Sequence, residues 1–161
     1  MKKFVFLFVL LTTVSVSAFA QSADEKDALA VANTMFTEMA NHNPAAIAGL
    51  YTKEAMLTAI IKGKDGKNRI ATFTGEAFSK NFAEKKNEIK ELMYAPETKV
   101  FGDLALVSGR YVFFVDGKIS HCGVNAFHIV RTETGWKIAG ASSTIDPTSC
   151  TTEEKAMSAN K

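Results

Sequence analysis

The first part of the chain after residue 21 has apolar residues at helical spacing. Ser22 and Glu25 match a capping box, in which each side chain bonds the other residue's backbone amide, and apolar residues then recur every three or four positions. This pattern predicts a first helix over about 24–41. Asn43, followed by proline, repeats the pattern of a helix start and predicts a short second helix over 45–50.

The rest of the sequence has the shorter period that is typical of strands. The segments 55–61 and 70–73 flank Asp65-Gly66, a dipeptide that favours a tight hairpin turn. A third helix is predicted to begin near Thr74. Four longer strands follow, and they are predicted over 88–100, 104–115, 119–132 and 136–145, with turns at Asp116-Gly117 and Glu133-Thr134-Gly135.

This order of elements predicts an α+β domain, with the helices on one face of a curved, mainly antiparallel sheet. A chain of this length is well served by one hydrophobic core. We therefore expect a single domain over 21–150 and a polar, loosely held C-terminal tail over 151–161.

The first twenty residues are typical of a signal peptide. Lys2 and Lys3 precede an unbroken run of apolar and small residues that ends in Ala18-Phe19-Ala20, a pattern that signal peptidase cleaves. The run is too short to favour a membrane span. We predict cleavage after Ala20 and a periplasmic or secreted protein without a membrane anchor.

The charge balance argues against nucleic acid as a partner. Without Lys2 and Lys3, the chain has as many basic as acidic residues, 17 of each. General affinity for a phosphate backbone requires an excess of basic groups on one face. We expect no binding to nucleic acid.

Leu50-Tyr51 before the first strand and the block DGKISHCGVNAFHIVRTETGWKI near the end, together with the order of elements, resemble the nuclear transport factor 2-like superfamily. Its SnoaL-like and lumazine-binding-like bacterial branches are the most similar. The resemblance implies a cone-shaped fold, in which three N-terminal helices pack on a strongly bent sheet and leave an internal pocket. Members include enzymes, small-molecule-binding proteins and modules that dimerise or recruit partners, so the resemblance leaves the chemistry open.

One catalytic residue of this superfamily can be compared directly. Ketosteroid isomerases have a similar Leu-Tyr segment, and their general-base aspartate follows nine residues after that leucine. Here that position is Ala59, and the neighbouring Thr58 and Ile60 do not take up a proton at neutral pH. The comparison argues against the isomerase reaction.

The predicted strand over 119–132 carries His121, Cys122 and His128. Adjacent side chains on a strand point to opposite faces, so His121 and Cys122 do not form a nucleophile pair. Cys122 and His128 share a face but lie about 20 Å apart, which is too far for one metal ion. Because no Asp or Glu lies in the interiors of the last three strands, we expect no metal site here, and no cofactor.

The two cysteines, Cys122 and Cys150, predict a disulfide in an exported chain. If residues 133–135 form a three-residue loop, Thr132 lies opposite Trp136. Cys122 then lies opposite Asp146, only a short turn before Cys150, so a disulfide between them is geometrically feasible.

The same register places His128 opposite Gly140, among small and apolar neighbours that leave room for a ligand. The predicted pocket residues are His128, Trp136, Ser142, Tyr51, Tyr111 and Met56. A histidine packed in the sheet or in a dimer interface is the alternative for His128. The opposite face, with Phe127 and Ile129, is also apolar, and helices cover only one face, so we predict a homodimer that packs sheet against sheet.

These observations predict a protein that binds a small apolar or aromatic molecule without transforming it. The alternative is an isomerase, hydratase or cyclase that uses His128 with a tyrosine or with Asp146, which requires those groups to converge on one substrate. A third possibility is a homodimeric assembly module whose cavity is filled by its own side chains.

Overall fold

A computed structural model describes residues 22–158, so the predicted signal peptide lies outside the described residues. These residues contain four helices: α1 (Ala23–Ala40), α2 (Pro44–Gly49), α3 (Gly75–Lys80) and α4 (Thr152–Lys155). The capping box that predicts the start of α1 is confirmed, because the Ser22 hydroxyl accepts from the Glu25 amide and the Glu25 carboxylate accepts from the Ser22 amide. No helix within 22–158 combines the length and apolar character needed to cross a membrane.

Six strands form one sheet: β1 (Tyr51–Lys62), β2 (Asn68–Thr74), β3 (Ile89–Phe101), β4 (Leu104–Val115), β5 (Lys118–Thr132) and β6 (Gly135–Ile145). Their order across the sheet is β2-β1-β6-β5-β4-β3. β6 runs parallel to β1, whereas the other neighbouring pairs are antiparallel. The α+β class and the mainly antiparallel sheet are therefore confirmed, and the last strand lies in the middle of the sheet.

The helices cover one face of the sheet, the inner face. In the main hydrophobic core, Phe36 and Met39 of α1 pack with Phe127 and Ile138 of the sheet. The Phe36 and Phe127 rings meet edge to face, with centroids 5.9 Å apart. Burial of each such side chain contributes roughly 1.5–3 kcal/mol, so this interface fixes α1 against β5 and β6.

The turn between β5 and β6 is one residue tighter than predicted. Thr132 pairs with Gly135 instead of Trp136, and Arg131 pairs with Trp136. A shift of one residue turns a side chain to the other face of the sheet. Trp136 therefore lies on the inner face and is part of the main core, a correction to its predicted position.

A β-bulge restores the predicted register further along this hairpin. The pairing shifts after Ile138, so that Ala139 has no partner across the strands and His128 lies opposite Gly140 as predicted. An extra residue in one strand of a pair is the defining feature of a bulge. Beyond it, Cys122 bridges to Asp146, again as predicted.

The C-terminal segment covers part of the other face of the sheet, the outer face. Cys122 and Cys150 form the predicted disulfide, with Cα atoms 5.1 Å apart. They belong to a second buried cluster together with Val112 and Phe114 of β4. The disulfide thus holds the chain end against β5, where it closes over apolar side chains of the sheet.

A buried carboxylate fixes the same segment. Glu154 of α4 has an exposed fraction of 0%. Its carboxylate accepts hydrogen bonds from the guanidinium of Arg110 at 2.7 and 3.0 Å and from the Tyr94 hydroxyl at 2.6 Å. Burial raises the pKa of Glu154, but these hydrogen bonds outweigh it and leave the pKa below its usual value. The expectation of a loosely held tail is therefore wrong for residues 151–158. Nothing in the sequence indicates that Glu154 pairs with Arg110 and Tyr94.

Candidate functional site

The inner face of the sheet and the helices line a partly open cavity of about 280 Å³. Helices α1 and α3 form one wall, and all six strands contribute to the other. Most of the lining is apolar or aromatic, and it includes Met35, Met39, Leu57, Phe73, Phe78, Phe82, Phe113, Phe127 and Ala141. Such a mostly apolar cavity with few polar groups is typical of a small-molecule site.

Three polar residues of the cavity form one hydrogen-bonded chain. The Ser143 hydroxyl of β6 donates to the Asn125 side-chain oxygen of β5 at 2.6 Å, and the Asn125 amide donates to Glu91 Oε1 of β3 at 2.6 Å. All three residues line the cavity. Because the amide of Asn125 is held from both ends, the Glu91 carboxyl is oriented toward a fixed donor.

Strand alternation explains why a carboxyl group lies in this apolar cavity. Ile89 and Met93, two residues to either side of Glu91, pack against the main core. Side chains two residues apart on a strand point to the same face. Glu91 is therefore directed to the inner face by its position in β3, and it lies in the cavity instead of in solvent.

Burial raises the pKa of Glu91 to about 7, although the hydrogen bond from Asn125 acts in the opposite direction. Removal of water destabilises the ionised form of a carboxyl group. At neutral pH the cavity therefore contains a carboxyl that is close to half ionised, which can accept or release a proton under ordinary conditions.

His121 also lines the cavity. Its ring stacks on the Phe113 ring with centroids 4.9 Å apart, and it meets the Tyr111 ring edge to face at 5.7 Å. Burial lowers the pKa of His121 to about 4, so the imidazole is neutral at pH 7. It contributes a hydrogen-bonding ring and no charge.

The two buried tyrosine hydroxyls already have partners. The Tyr111 hydroxyl donates to the Thr144 carbonyl at 2.8 Å, and the Tyr51 hydroxyl donates to the Met35 sulfur at 2.8 Å. Burial, and secondarily the negative charge of Glu91, raise the pKa of both tyrosines. Both hydroxyls are therefore protonated at neutral pH, and each already donates its proton to a protein atom.

The structure brings only part of the predicted pocket to this cavity. Tyr111 lines it, and His128, Trp136, Ser142, Tyr51 and Met56 do not. His128 is exposed on the outer face opposite Gly140, so the assignment of the pocket to its face is wrong. The physical reason is that the helices pack on the other face, beside Asn125 and Phe127.

The predicted catalytic pair is not assembled either. His128 lies on the outer face, and Asp146 follows β6 outside the cavity, where its carboxylate accepts from the Thr148 hydroxyl at 2.7 Å and from the Thr148 amide at 2.8 Å. These hydrogen bonds lower the pKa of Asp146. Neither residue is thus placed to share a substrate with Tyr111.

Glu91, Asn125, His121 and Ser143 are polar residues of the cavity that the sequence analysis did not assign to the pocket. The search for acids covered only the last three strands, and Glu91 lies on the strand before them. The available signal was an acidic residue between Ile89 and Met93 in an alternating apolar pattern. Asn125 is likewise a polar residue on the face of β5 that carries Phe127, two residues further along the strand.

One group of possible metal ligands occurs in the described part of the chain. Cys122, Cys150 and Glu154 place their ligand atoms within 4.8 Å of one another. The two sulfurs are joined in the disulfide, and Glu154 is paired with Arg110. A disulfide offers no thiolate to a metal, so we assign no metal centre to this group.

Comparison with known proteins gives structural matches alone. No protein-family model matches the sequence, and no curated protein is similar to it. A nuclear transport factor 2-like protein with a cystatin-like fold from Novosphingobium aromaticivorans has a TM-score of 0.63 and 12% identity, over 83% of this chain and 89% of that one. The chain has the nuclear transport factor 2-like fold.

Other solved structures with this nuclear transport factor 2-like fold differ in function. A proposed dehydratase from Streptomyces avermitilis has a TM-score of 0.60 and 15% identity, over 76% of this chain and 96% of that one. A proposed calcium/calmodulin-dependent protein kinase II association domain from Xanthomonas campestris has a TM-score of 0.59 and 20% identity, over 88% of this chain and 99% of that one. Identities this low establish the fold and leave the activity to be argued from the cavity.

Proposed function

We propose that this protein binds a small, mostly apolar or aromatic molecule in the cavity between the helices and the inner face of the sheet. The observation that carries the proposal is the cavity itself, which has a volume of about 280 Å³ and a largely apolar lining. A cavity of about 150 Å³ accommodates benzene, so this one has room for a larger ring compound. The open volume favours ligand binding over an assembly module with a filled cavity.

An enzyme that transfers a proton is the second candidate, and Glu91 is the observation that favours it. Its pKa of about 7 suits a general base at neutral pH. Proton abstraction next to a carbonyl also needs a donor for the developing oxyanion. The hydroxyls of Tyr51 and Tyr111 are engaged elsewhere, so that donor would have to be another group of the lining, such as the neutral His121 ring. Binding without reaction is therefore the function that the described geometry supports best.

Filling the cavity tests the proposal. Ala59 lines the cavity and pairs with Ala71 and Ser143. We expect Ala59→Phe to abolish ligand retention, measured by native mass spectrometry of protein purified from its own compartment as a small-molecule mass that is lost on denaturation. The expected loss of affinity is at least about tenfold, because an inserted ring occupies the ligand's volume.

The control for this variant is the same substitution on a surface. Ala30 is exposed on α1, so Ala30→Phe should leave the bound mass unchanged. If neither the unsubstituted protein nor Ala30→Phe carries a consistent small molecule over several preparations, the binding proposal fails.

We further propose that two copies associate through their outer faces. The C-terminal segment covers only part of this face, and Phe101, Leu104, Leu106 and Val124 stay exposed beside it, with exposed fractions of 60, 41, 40 and 38%. Phe101 pairs with Leu104, and Leu106 with His128, so these residues form a continuous surface. A second copy of the same surface is the economical cover for it, which places His128 in the interface.

A charge in this surface should dissociate the dimer. We expect Leu106→Asp to shift the mass in solution from dimer to monomer, as measured by light scattering during size-exclusion chromatography. Ile70 is 68% exposed and lies on β2 at the opposite edge of the sheet, so Ile70→Asp is the matched control and should leave the dimer intact. A monomeric unsubstituted protein at micromolar concentration would refute the interface.

Export to an oxidising compartment is the third element of the proposal. It is supported by the Cys122–Cys150 disulfide, because such bonds persist mainly outside the cytosol. Together with the predicted signal peptide over 1–20, it points to a periplasmic or secreted protein whose mature chain begins at Gln21.

A further inference from the structure

The charge inside the cavity suggests which chemical class of ligand it takes. The lining includes one carboxyl group, that of Glu91, and no lysine or arginine among the described residues. We propose that the cavity binds a small organic cation, an ammonium group on an apolar or aromatic body, with the Glu91 carboxylate as its counter-ion. The inference rests on the proposed binding function and specifies the ligand class of the same site.

The hydrogen bonds of Glu91 leave its charge uncompensated. The Asn125 amide donates to Oε1 at 2.6 Å, and Asn125 is itself fixed by the Ser143 hydroxyl. A neutral amide stabilises a carboxylate by one hydrogen bond, but it supplies no opposite charge. A partly buried carboxylate without a cationic partner in the cavity lining either takes up a proton or acquires a partner from outside, and an ammonium ligand provides that partner.

The other titratable groups around Glu91 do not supply a cation. Tyr111 on β4 and Tyr51 at the start of β1 are neutral at physiological pH, because burial raises the pKa of each. His121 on β5 is neutral above about pH 4. Helix α1 contributes Met35 and Met39 to the lining, and α3 with the turn after it contributes Phe78, Asn81 and Phe82, none of which is charged. A negatively charged ligand would therefore meet one charge in the lining, the negative charge of Glu91, and would be repelled by it.

Aromatic rings give the cation a second favourable contact. Rings of Phe73, Phe78, Phe82, Phe113 and Phe127 line the same cavity as Glu91, and the Phe78 and Phe82 rings are in contact with centroids 5.1 Å apart. The face of an aromatic ring attracts an ammonium group and also packs well against an apolar body. Carboxylate and rings together distinguish an organic amine from an inorganic cation, which lacks that body.

Three probes of nearly equal shape and different charge test the inference. Phenethylamine, phenethyl alcohol and phenylacetate are titrated into the full disulfide-bonded protein at pH 8 by calorimetry. We expect the amine to bind at least about tenfold more tightly than the alcohol, and the acid least tightly. Because phenethylamine stays protonated throughout, its affinity should fall about 30-fold at pH 5.5, where Glu91 is neutral.

Glu91→Gln is the variant that tests the counter-ion. The amide oxygen can still accept from Asn125, and the change removes a partly buried charge, so the variant should fold, as checked by circular dichroism. We expect it to reduce amine affinity at least about tenfold and to leave alcohol affinity unchanged. Glu97 is an exposed residue of the same strand outside the cavity, and Glu97→Gln should change neither.

The outcomes separate this inference from the binding proposal. Equal affinity for amine and alcohol at pH 8, or equal effects of Glu91→Gln and Glu97→Gln, would overturn the cation inference. If the alcohol still binds and Ala59→Phe prevents it, the binding proposal stands without the cation. If none of the three probes binds at millimolar concentration, the cation inference is refuted, and the mass-spectrometric test of Ala59→Phe decides the binding proposal separately.

Discussion

Reduction of the Cys122–Cys150 disulfide is expected to lower the free energy of unfolding by about 3 to 4 kcal/mol. The bond closes a loop between residues that are 28 apart in sequence, and opening it gives the unfolded chain more conformations. The expected result is a lower urea midpoint in the presence of a reductant. The same loss should appear in the double variant Cys122→Ala/Cys150→Ala without reductant.

The double variant also provides the control for this experiment. A reductant should not change its midpoint, since the variant has no disulfide to reduce. A loss below about 1 kcal/mol in the reduced protein would contradict the prediction, and would mean that the unfolded chain already restricts this loop.

Gly123→Ala is expected to cost about 3 kcal/mol or more, or to prevent folding. A Cβ atom at this position would lie 1.9 Å from the Thr144 carbonyl oxygen and 2.8 Å from the Tyr111 ring. The carbonyl belongs to the backbone of β6 and also accepts the Tyr111 hydroxyl, so relief of the clash must move a strand and a residue of the cavity. The measurement is the urea midpoint of the soluble variant, with recovery of folded protein as the first readout.

Gly49→Ala is the matched control, because a Cβ atom there would have no neighbour within 4 Å. Gly49 is the last residue of α2, and alanine restricts the unfolded chain. We expect stability to be unchanged or to rise by up to about 1 kcal/mol. Equal stability of the Gly49 and Gly123 variants would show that β6 can move away from β5 at little cost.

Local signals in the sequence were sufficient to predict the helices and strands of this fold. The capping box at Ser22 and the proline after Asn43 act within one helical turn, and α1 and α2 begin within one residue of the predicted positions. The position of the turn at Asp65-Gly66 was likewise predictable, although the loop spans 63–67 and is longer than the two-residue turn expected. The Cys122–Cys150 disulfide was predictable because it depends on one hairpin register.

The face that carries the cavity was not predictable in the same way. Both faces of the β5-β6 hairpin are apolar, so alternation alone does not say which one the helices cover. The bulge at Ala139 then reverses the side chains beyond it, and this moves Trp136 into the core. The extra residue of the bulge restores the register that the shorter turn had shifted by one residue. The sequence 133–135 is compatible with a turn of either length.

The polar centre of the cavity depends on contacts between distant residues. Glu91 and Asn125 are 34 residues apart, and Arg110 and Glu154 are 44 apart. In the sequence, all four look like ordinary polar positions on strands or in a tail. Only the order of the strands decides that one carboxyl faces a cavity with an amide beside it, while the other meets a guanidinium.

The position of β6 has a consequence for how the chain folds. β6 is the last strand in sequence, yet it joins β1 to β5 in the middle of the sheet. Until it is in place, the β1-β2 hairpin and the β3-β4-β5 meander have no hydrogen bonds to each other, and the cavity has no complete wall. Pairing of β1 with β6 also closes a long loop, which slows folding. A nascent chain should therefore stay unfolded until nearly all of it has been synthesised, the state in which a polypeptide can still be threaded through a narrow translocation channel.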